Sequence, residues 1–282
     1  MFQPYVNKLI ENLPDEMKTK RKLDLVLTGC YPFNTSFLIG SLLFLKEMEK
    51  RGFIKVCRIS GNGLGSLAGL LYFSDSINML SDYDLKTLPE LGRLLKDKVP
   101  KHMLKNKLFI TYYDVALCVK ITKSKYKTHA KLIDEVIKSC YLPFVVDGNI
   151  AYKNQFMDGI SPYVFDVKRD RQILYCNPLN YQYLRVIGNE TSKVLTGILD
   201  IHGFFIIKQS TSMCSYVSDW SCFDRNIELL KYIVERIVVY LVYIMLVVKP
   251  YLPNRVMENF KNILDLLHLF SFQTPIKQVI KI

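Results

Sequence analysis

The sequence predicts an α/β fold in which a mainly parallel central sheet lies between helices and a helical region follows at the C-terminus. Three stretches carry that expectation. Leu23 to Leu27 and Ile54 to Ile59 are β-prone runs separated by a helix-forming segment, the spacing of a βαβ unit with parallel strands and a right-handed crossover. The second run continues as Ser60-Gly61-Asn62-Gly63-Leu64-Gly65, three alternate glycines leading directly into an apolar helix former. From Arg225 to Val248 the chain turns strongly apolar, and Ile237 to Val248 holds no charge.

In chain order, residues 1–22 form a lead-in, helical around Tyr5 to Asn12 and broken near Pro14. Phe37 to Arg51 is apolar first and charged last, with Thr35 or Ser36 able to cap it and Gly52 closing it as a C-terminal glycine does. A helix over Leu64 to Phe73 follows the glycine turn. Ser74 to Lys107 is polar and helical in pattern, with breaks at Pro89 and Pro100. Strands are expected over Leu108 to Tyr113 and Val115 to Ile121, and a helix over Lys131 to Cys140. Asp147-Gly148 between β-prone flanks predicts a hairpin over Pro143 to Tyr152. Ile173 to Tyr175 reads as a strand. The α/β body therefore spans 23–200, and 201–282 is a helical, apolar region. Within that region, 225–248 is either a packed helix or a membrane-associated one, being short of the roughly twenty apolar residues of a span. Val256 to Phe270 has apolar residues at helical spacing and is expected to pack on the preceding helix.

Composition narrows the partners. Of the 282 residues half are hydrophobic and 23% charged, a balance that excludes a disordered chain. A net charge of +12 favours anionic partners. The seven cysteines form no C-x-x-C pair and the four histidines are far apart, so no metal or other cofactor is expected. The opening residues lack the apolar core of a secretory signal, and with an odd cysteine count this predicts an intracellular protein, cytoplasmic or peripheral on membranes or lipid droplets.

Strand, tight glycine turn and helix make the geometry of a nucleophile elbow, which normally presents a serine at its apex. Here the apex is Gly63, flanked by Gly61 and Gly65. The same glycines do not complete a dinucleotide fingerprint, because the third glycine position falls on Ser66, and no Gly-Lys-Ser/Thr of a phosphate loop is present.

Three segments taken together resemble the patatin-like phospholipase family. They are Leu25-Val26-Leu27-Thr28-Gly29-Cys30 with Gly40 on the next helix, then Ile59-Ser60-Gly61-Asn62-Gly63-Leu64-Gly65, then Ser139-Cys140-Tyr141-Leu142-Pro143 followed by Met157-Asp158-Gly159. The resemblance covers about residues 23–165. It implies a patatin-like three-layer fold and a Ser–Asp dyad that cleaves lipid acyl esters, with Gly29 and Cys30 in the oxyanion loop and Asp158 as the dyad aspartate. It also implies that Gly63 occupies the serine position, and a glycine has no group that can attack a carbonyl. After Gly29 the loop runs Cys30-Tyr31-Pro32 instead of a glycine series, and Pro32 removes a backbone donor.

The expectation is therefore a catalytically inactive homologue that binds lipid or an anionic membrane surface, without a role on nucleic acid. The alternatives are an active hydrolase with a relocated nucleophile, for which Ser66 is the candidate, and an adaptor that uses the fold to bind a protein.

Overall fold

A computed structural model describes residues 2–29, 35–80, 90, 95, 99–100, 105–178, 189–251 and 259. Its strands are β1 (Arg21–Leu27), β2 (Ile54–Asn62), β3 (Lys105–Asp114), β4 (Val119–Lys125), β5 (Phe156–Asp158), β6 (Gln172–Cys176) and β7 (Cys214–Tyr216). The helices are α1 (Gln3–Glu11), α2 (Thr35–Lys50), α3 (Gly63–Phe73), α4 (His129–Cys140), α5 (Glu190–Ile207) and α6 (Cys222–Val248).

The seven strands form one mixed sheet in the order β4-β3-β2-β1-β6-β7, with β5 also paired to β3. β1 pairs parallel with β2 and β6, and β2 parallel with β3, while β4, β5 and β7 add antiparallel pairs. β1 is buried on both faces, with Leu23, Leu25, Val26 and Leu27 inaccessible, as a central parallel strand requires. One face of the sheet joins the main core through Leu25, Ile59, Leu108 and Leu174 against α2, α3, α4 and α5. The other face carries Val26, Phe109, Ile173 and Tyr175, covered in part by Phe165 and Val217.

α2 and α5 cross almost backbone on backbone. A β-carbon on Gly40 would lie 2.1 Å from the Val194 carbonyl oxygen, and one on Gly197 would lie 2.0 Å from that of Phe37. Ser41 Oγ, on the same seam, donates to the Gly197 carbonyl at 3.2 Å.

α6 opens with a capping box between Ser221 and Asp224. It buries Glu235, Val238, Val239, Val242 and Met245, a helical stripe set on Tyr113, Met157 and Ile160. Its other side exposes Leu229, Ile233, Ile237, Tyr240 and Ile244. No helix among the described residues is long and apolar enough to cross a membrane. Residue 200 lies inside α5, and β7, from the stretch beyond it, pairs with β6 in the sheet.

Several expectations need correcting. No strands form over 143–152. The Asp147 carboxylate instead accepts from the Tyr141 hydroxyl and from the Asn149 N–H, and the segment is a series of turns with Gly148 at φ +78°. The downstream strand, β5, pairs with β3, and its link to this loop is the single antiparallel bridge between Tyr152 and Phe156. The second strand of the β3–β4 hairpin starts at Val119, not Val115, because Cys118 turns the chain at φ +52°. The region between Tyr175 and Phe205, for which the sequence predicts no single element, contains most of α5, capped by Asn189, whose side chain accepts from Ser192 N–H at 2.9 Å. Most of Ser74–Lys107 lies outside the described residues, which retain a short 3-10 turn at Ile77–Leu80. The helix expected over Val256 to Phe270 also lies outside them, apart from residue 259.

Candidate functional site

The glycine turn forms where the C-terminal end of β2 becomes α3. Gly63 is the first residue of the helix, at φ +49°, in the left-handed region that suits a residue without a β-carbon. Gly61 and Gly65 allow close approach. A β-carbon on Gly61 would lie 2.5 Å from the Gly65 carbonyl carbon, and one on Gly65 would lie 2.3 Å from the Leu27 carbonyl oxygen. Strand and helix are thus pressed together, and α3 starts directly over the end of β1.

The sheet topology brings the aspartate to this turn. β2 pairs with β3 as far as Asn62 opposite Thr111. β5 takes up the same edge of β3 at the next position, Asp158 opposite Tyr112, since β4 occupies the other edge. Asp158 therefore sits one rung beyond the last residue of β2. A β-carbon built on Gly63 would lie 3.2 Å from Asp158 Oδ2 and 3.4 Å from Oδ1.

Asn62 joins this carboxylate to the loop after β1. Its Nδ2 donates to Asp158 Oδ1 at 3.3 Å, and its Oδ1 accepts from the Gly29 N–H at 2.8 Å. The Gly29 amide is thereby committed within the protein. Cys30 lies outside the described residues. The Gly63 N–H donates to Ser139 Oγ at 3.0 Å, and Ser139 in turn donates to the Thr111 carbonyl at 2.7 Å. Ser66 donates to the Gly63 carbonyl at 2.7 Å, and Cys140 Sγ donates to the same oxygen at 3.1 Å.

The site is buried: Ser66 is inaccessible and Asp158 is 5% exposed. Burial raises the Asp158 carboxyl from its ordinary 3.8 to about 7. The Asn62 amide and the Gly159 and Ile160 backbone N–H groups oppose the rise, and the negative charge of Glu235 adds to it. The Cys140 thiol is likewise pushed upward, first by burial and then by the charge of Asp158, so it is not a poised thiolate.

Chemically, the turn can position a carboxylic acid poised near neutrality against the apex of a strand-to-helix bend. With Gly63 at the apex it presents no nucleophile there, and Ser66 uses its hydroxyl to hold the first helical turn. Among the described residues no group of His, Cys, Asp and Glu side chains is placed to hold a metal ion.

Asn62 and Ser139 are contributors that the sequence did not single out. Asn62 had a visible signal, since a polar residue at the end of a strand is the N-cap position of the next helix. Ser139 stands in the sequence only as the first residue of the Ser139–Pro143 segment of the resemblance, and its role as acceptor depends on α4 packing beside the turn. Ser139→Ala strips the Gly63 N–H of its acceptor in a buried site. The expected loss is about 1–3 kcal/mol of unfolding free energy, measurable by urea denaturation at constant m.

The chain matches no protein-family model, and no curated protein matches it.

Proposed function

We propose that the protein is a patatin-like acyl hydrolase homologue that has lost hydrolysis and retains lipid or membrane-surface binding. The observation that carries this reading is the contact at the apex of the turn. The place where a serine β-carbon would stand lies 3.2 Å from Asp158 Oδ2, so a hydroxyl carried there would stand beside a carboxyl able to act as its base, but the residue there is Gly63. The committed amides of Gly29 and Gly63 support loss of catalysis, since an oxyanion requires donors free to receive it. Lipid binding draws on different features: the net charge of +12 and the apolar side of α6, with Ile233, Ile237 and Tyr240 in the open.

Three measurements test the two halves separately. Purified protein is expected to show no turnover of short-chain acyl esters, and Asp158→Asn to leave that background unchanged. Turnover abolished by Asp158→Asn would sink the inactive reading and favour a relocated nucleophile. Gly63→Ser is expected to cost about 1–2 kcal/mol, because an L residue is strained at positive φ. With the Gly29 and Gly63 amides committed, the expected gain is a slow, Asp158-dependent ester hydrolysis just above the background of the parent chain. Hydrolysis that is absent in a folded Gly63→Ser protein would count against the acyl hydrolase ancestry. Flotation with anionic vesicles tests membrane binding independently, and its absence would leave the adaptor alternative.

A further inference from the structure

A cavity lies at the end of the sheet opposite the glycine turn. Lys22 is near the start of β1, Lys55 and Arg58 are in the first half of β2, Lys107 is near the start of β3, and Arg171 immediately precedes β6. These four strands are parallel, so their N-terminal ends converge on one cavity of about 410 Å³. It is on the order of 20 Å along β2 from Gly63, at the rise of an extended strand.

A β-bulge builds the cluster. β1 and β2 pair Leu23 with Val56 but Asp24 with Arg58, which leaves Cys57 as an extra residue in β2. The extra residue brings Arg58 directly across from Asp24. Arg58 donates Nε to Asp24 Oδ2 at 3.1 Å and Nη2 to the same oxygen, while its guanidinium stands 4.1 Å from the Phe165 ring centroid. Asp24 is 1% exposed, and its other oxygen makes no hydrogen bond, with Arg171 Nη1 3.7 Å away. Asp170 lies 3.6 Å from Lys22 Nζ and 3.3 Å from Arg171 Nε.

Set against Asp24 and Asp170, the five cations leave three positive charges around one concavity. Among the described residues neither Lys55 nor Lys107 has a carboxylate partner, and Lys107 Nζ is held by the Cys57 carbonyl at 3.2 Å. Crowding like charges into a concavity is unfavourable without an anion, and a concave wall of low dielectric concentrates their field. Two arginines already oriented by carboxylates and an aromatic ring, beside two ammonium groups with no carboxylate partner among the described residues, suit tetrahedral oxyanions.

We propose that this cavity binds a small, multiply phosphorylated anion, either free or as the headgroup of a polyphosphorylated lipid. The site does not depend on the reading of the glycine turn. The test titrates the full chain with inorganic pyrophosphate by calorimetry. In parallel the chain is co-sedimented with phosphatidylcholine vesicles with and without phosphatidylinositol bisphosphate. Lys55→Gln with Lys107→Gln keeps the Arg58–Asp24 pair and is expected to weaken binding at least about tenfold. Lys153→Gln with Lys249→Gln removes the same charge from positions that do not line the cavity, and is expected to change binding less than about twofold. Pyrophosphate binding that falls only in the cavity variant assigns a free anion. Vesicle binding that falls only in that variant, without pyrophosphate binding, assigns the headgroup. No binding of either probe by the parent chain, or equal weakening in the two variants, overturns the proposal in favour of a diffuse basic surface.

Discussion

Asp158→Asn raises the thermal midpoint at pH 8 and leaves it unchanged near pH 4. The carboxyl has a folded-state pKa of about 7 because it is buried, against 3.8 in an exposed chain. Between those values the folded protein holds a proton that the unfolded chain has released, so stability from this group is full below about pH 4 and falls as pH rises to about 7. The accumulated loss is on the order of 4 kcal/mol by linkage. Asparagine carries no charge, and its one amide oxygen can still accept from the Asn62 Nδ2. The variant should therefore gain about 2–4 kcal/mol at pH 8, and the difference from the parent chain should vanish in acid. An asparagine protein that is no more stable at pH 8 would mean that the ionised carboxylate is well compensated in the fold. A gain would also identify Asp158 as a residue whose charge costs stability, as functional carboxylates do when they are kept for reasons other than folding.

Two glycines on one helix should respond to alanine with opposite signs. Gly197→Ala drives a β-carbon into the Phe37 backbone, where neither helix can yield without moving the α2–α5 seam. The expected cost is about 3 kcal/mol or more, and soluble yield is expected to fall. Gly203 lies two turns along the same helix, and a β-carbon there meets nothing within 4 Å. Gly203→Ala should therefore stabilise by about 0.4–1 kcal/mol, through a less flexible unfolded chain and a better helix former. Urea unfolding of the two variants beside the parent makes the comparison. Equal effects would show that α2 and α5 are not in backbone contact.

The legible parts of this fold were those governed by local pattern. The β-prone runs of β1 and β2, the amphipathic α4, and the Gly52 that closes α2 at φ +78° each follow from residues within a few positions of one another. The Asp147-Gly148 hairpin failed for the complementary reason. That dipeptide does make a turn, but a hairpin also needs two strands that prefer each other, and here one backbone bond from the Phe144 N–H to the Asn149 carbonyl and the Tyr141 hydroxyl on Asp147 close the loop without a ladder. β7 was invisible because three residues on a sheet edge carry too short a period to register. The bulge at Cys57 left no local mark either, yet it decides which side of the sheet Arg58 faces.

The α/β class, the strand-to-helix glycine turn at 61–65, the absence of a hydroxyl at its apex and the excess of positive charge are all readable from the order of residues alone. That Asp158, ninety-five residues downstream of Gly63, stands against that apex, and that five scattered cations share one cavity, emerges once the strands are paired. The physical reason is the same in both cases. Periodicity and turn chemistry act over one or two turns of chain, whereas strand register along β3 and at the β1–β2 bulge is set by pairing between distant segments.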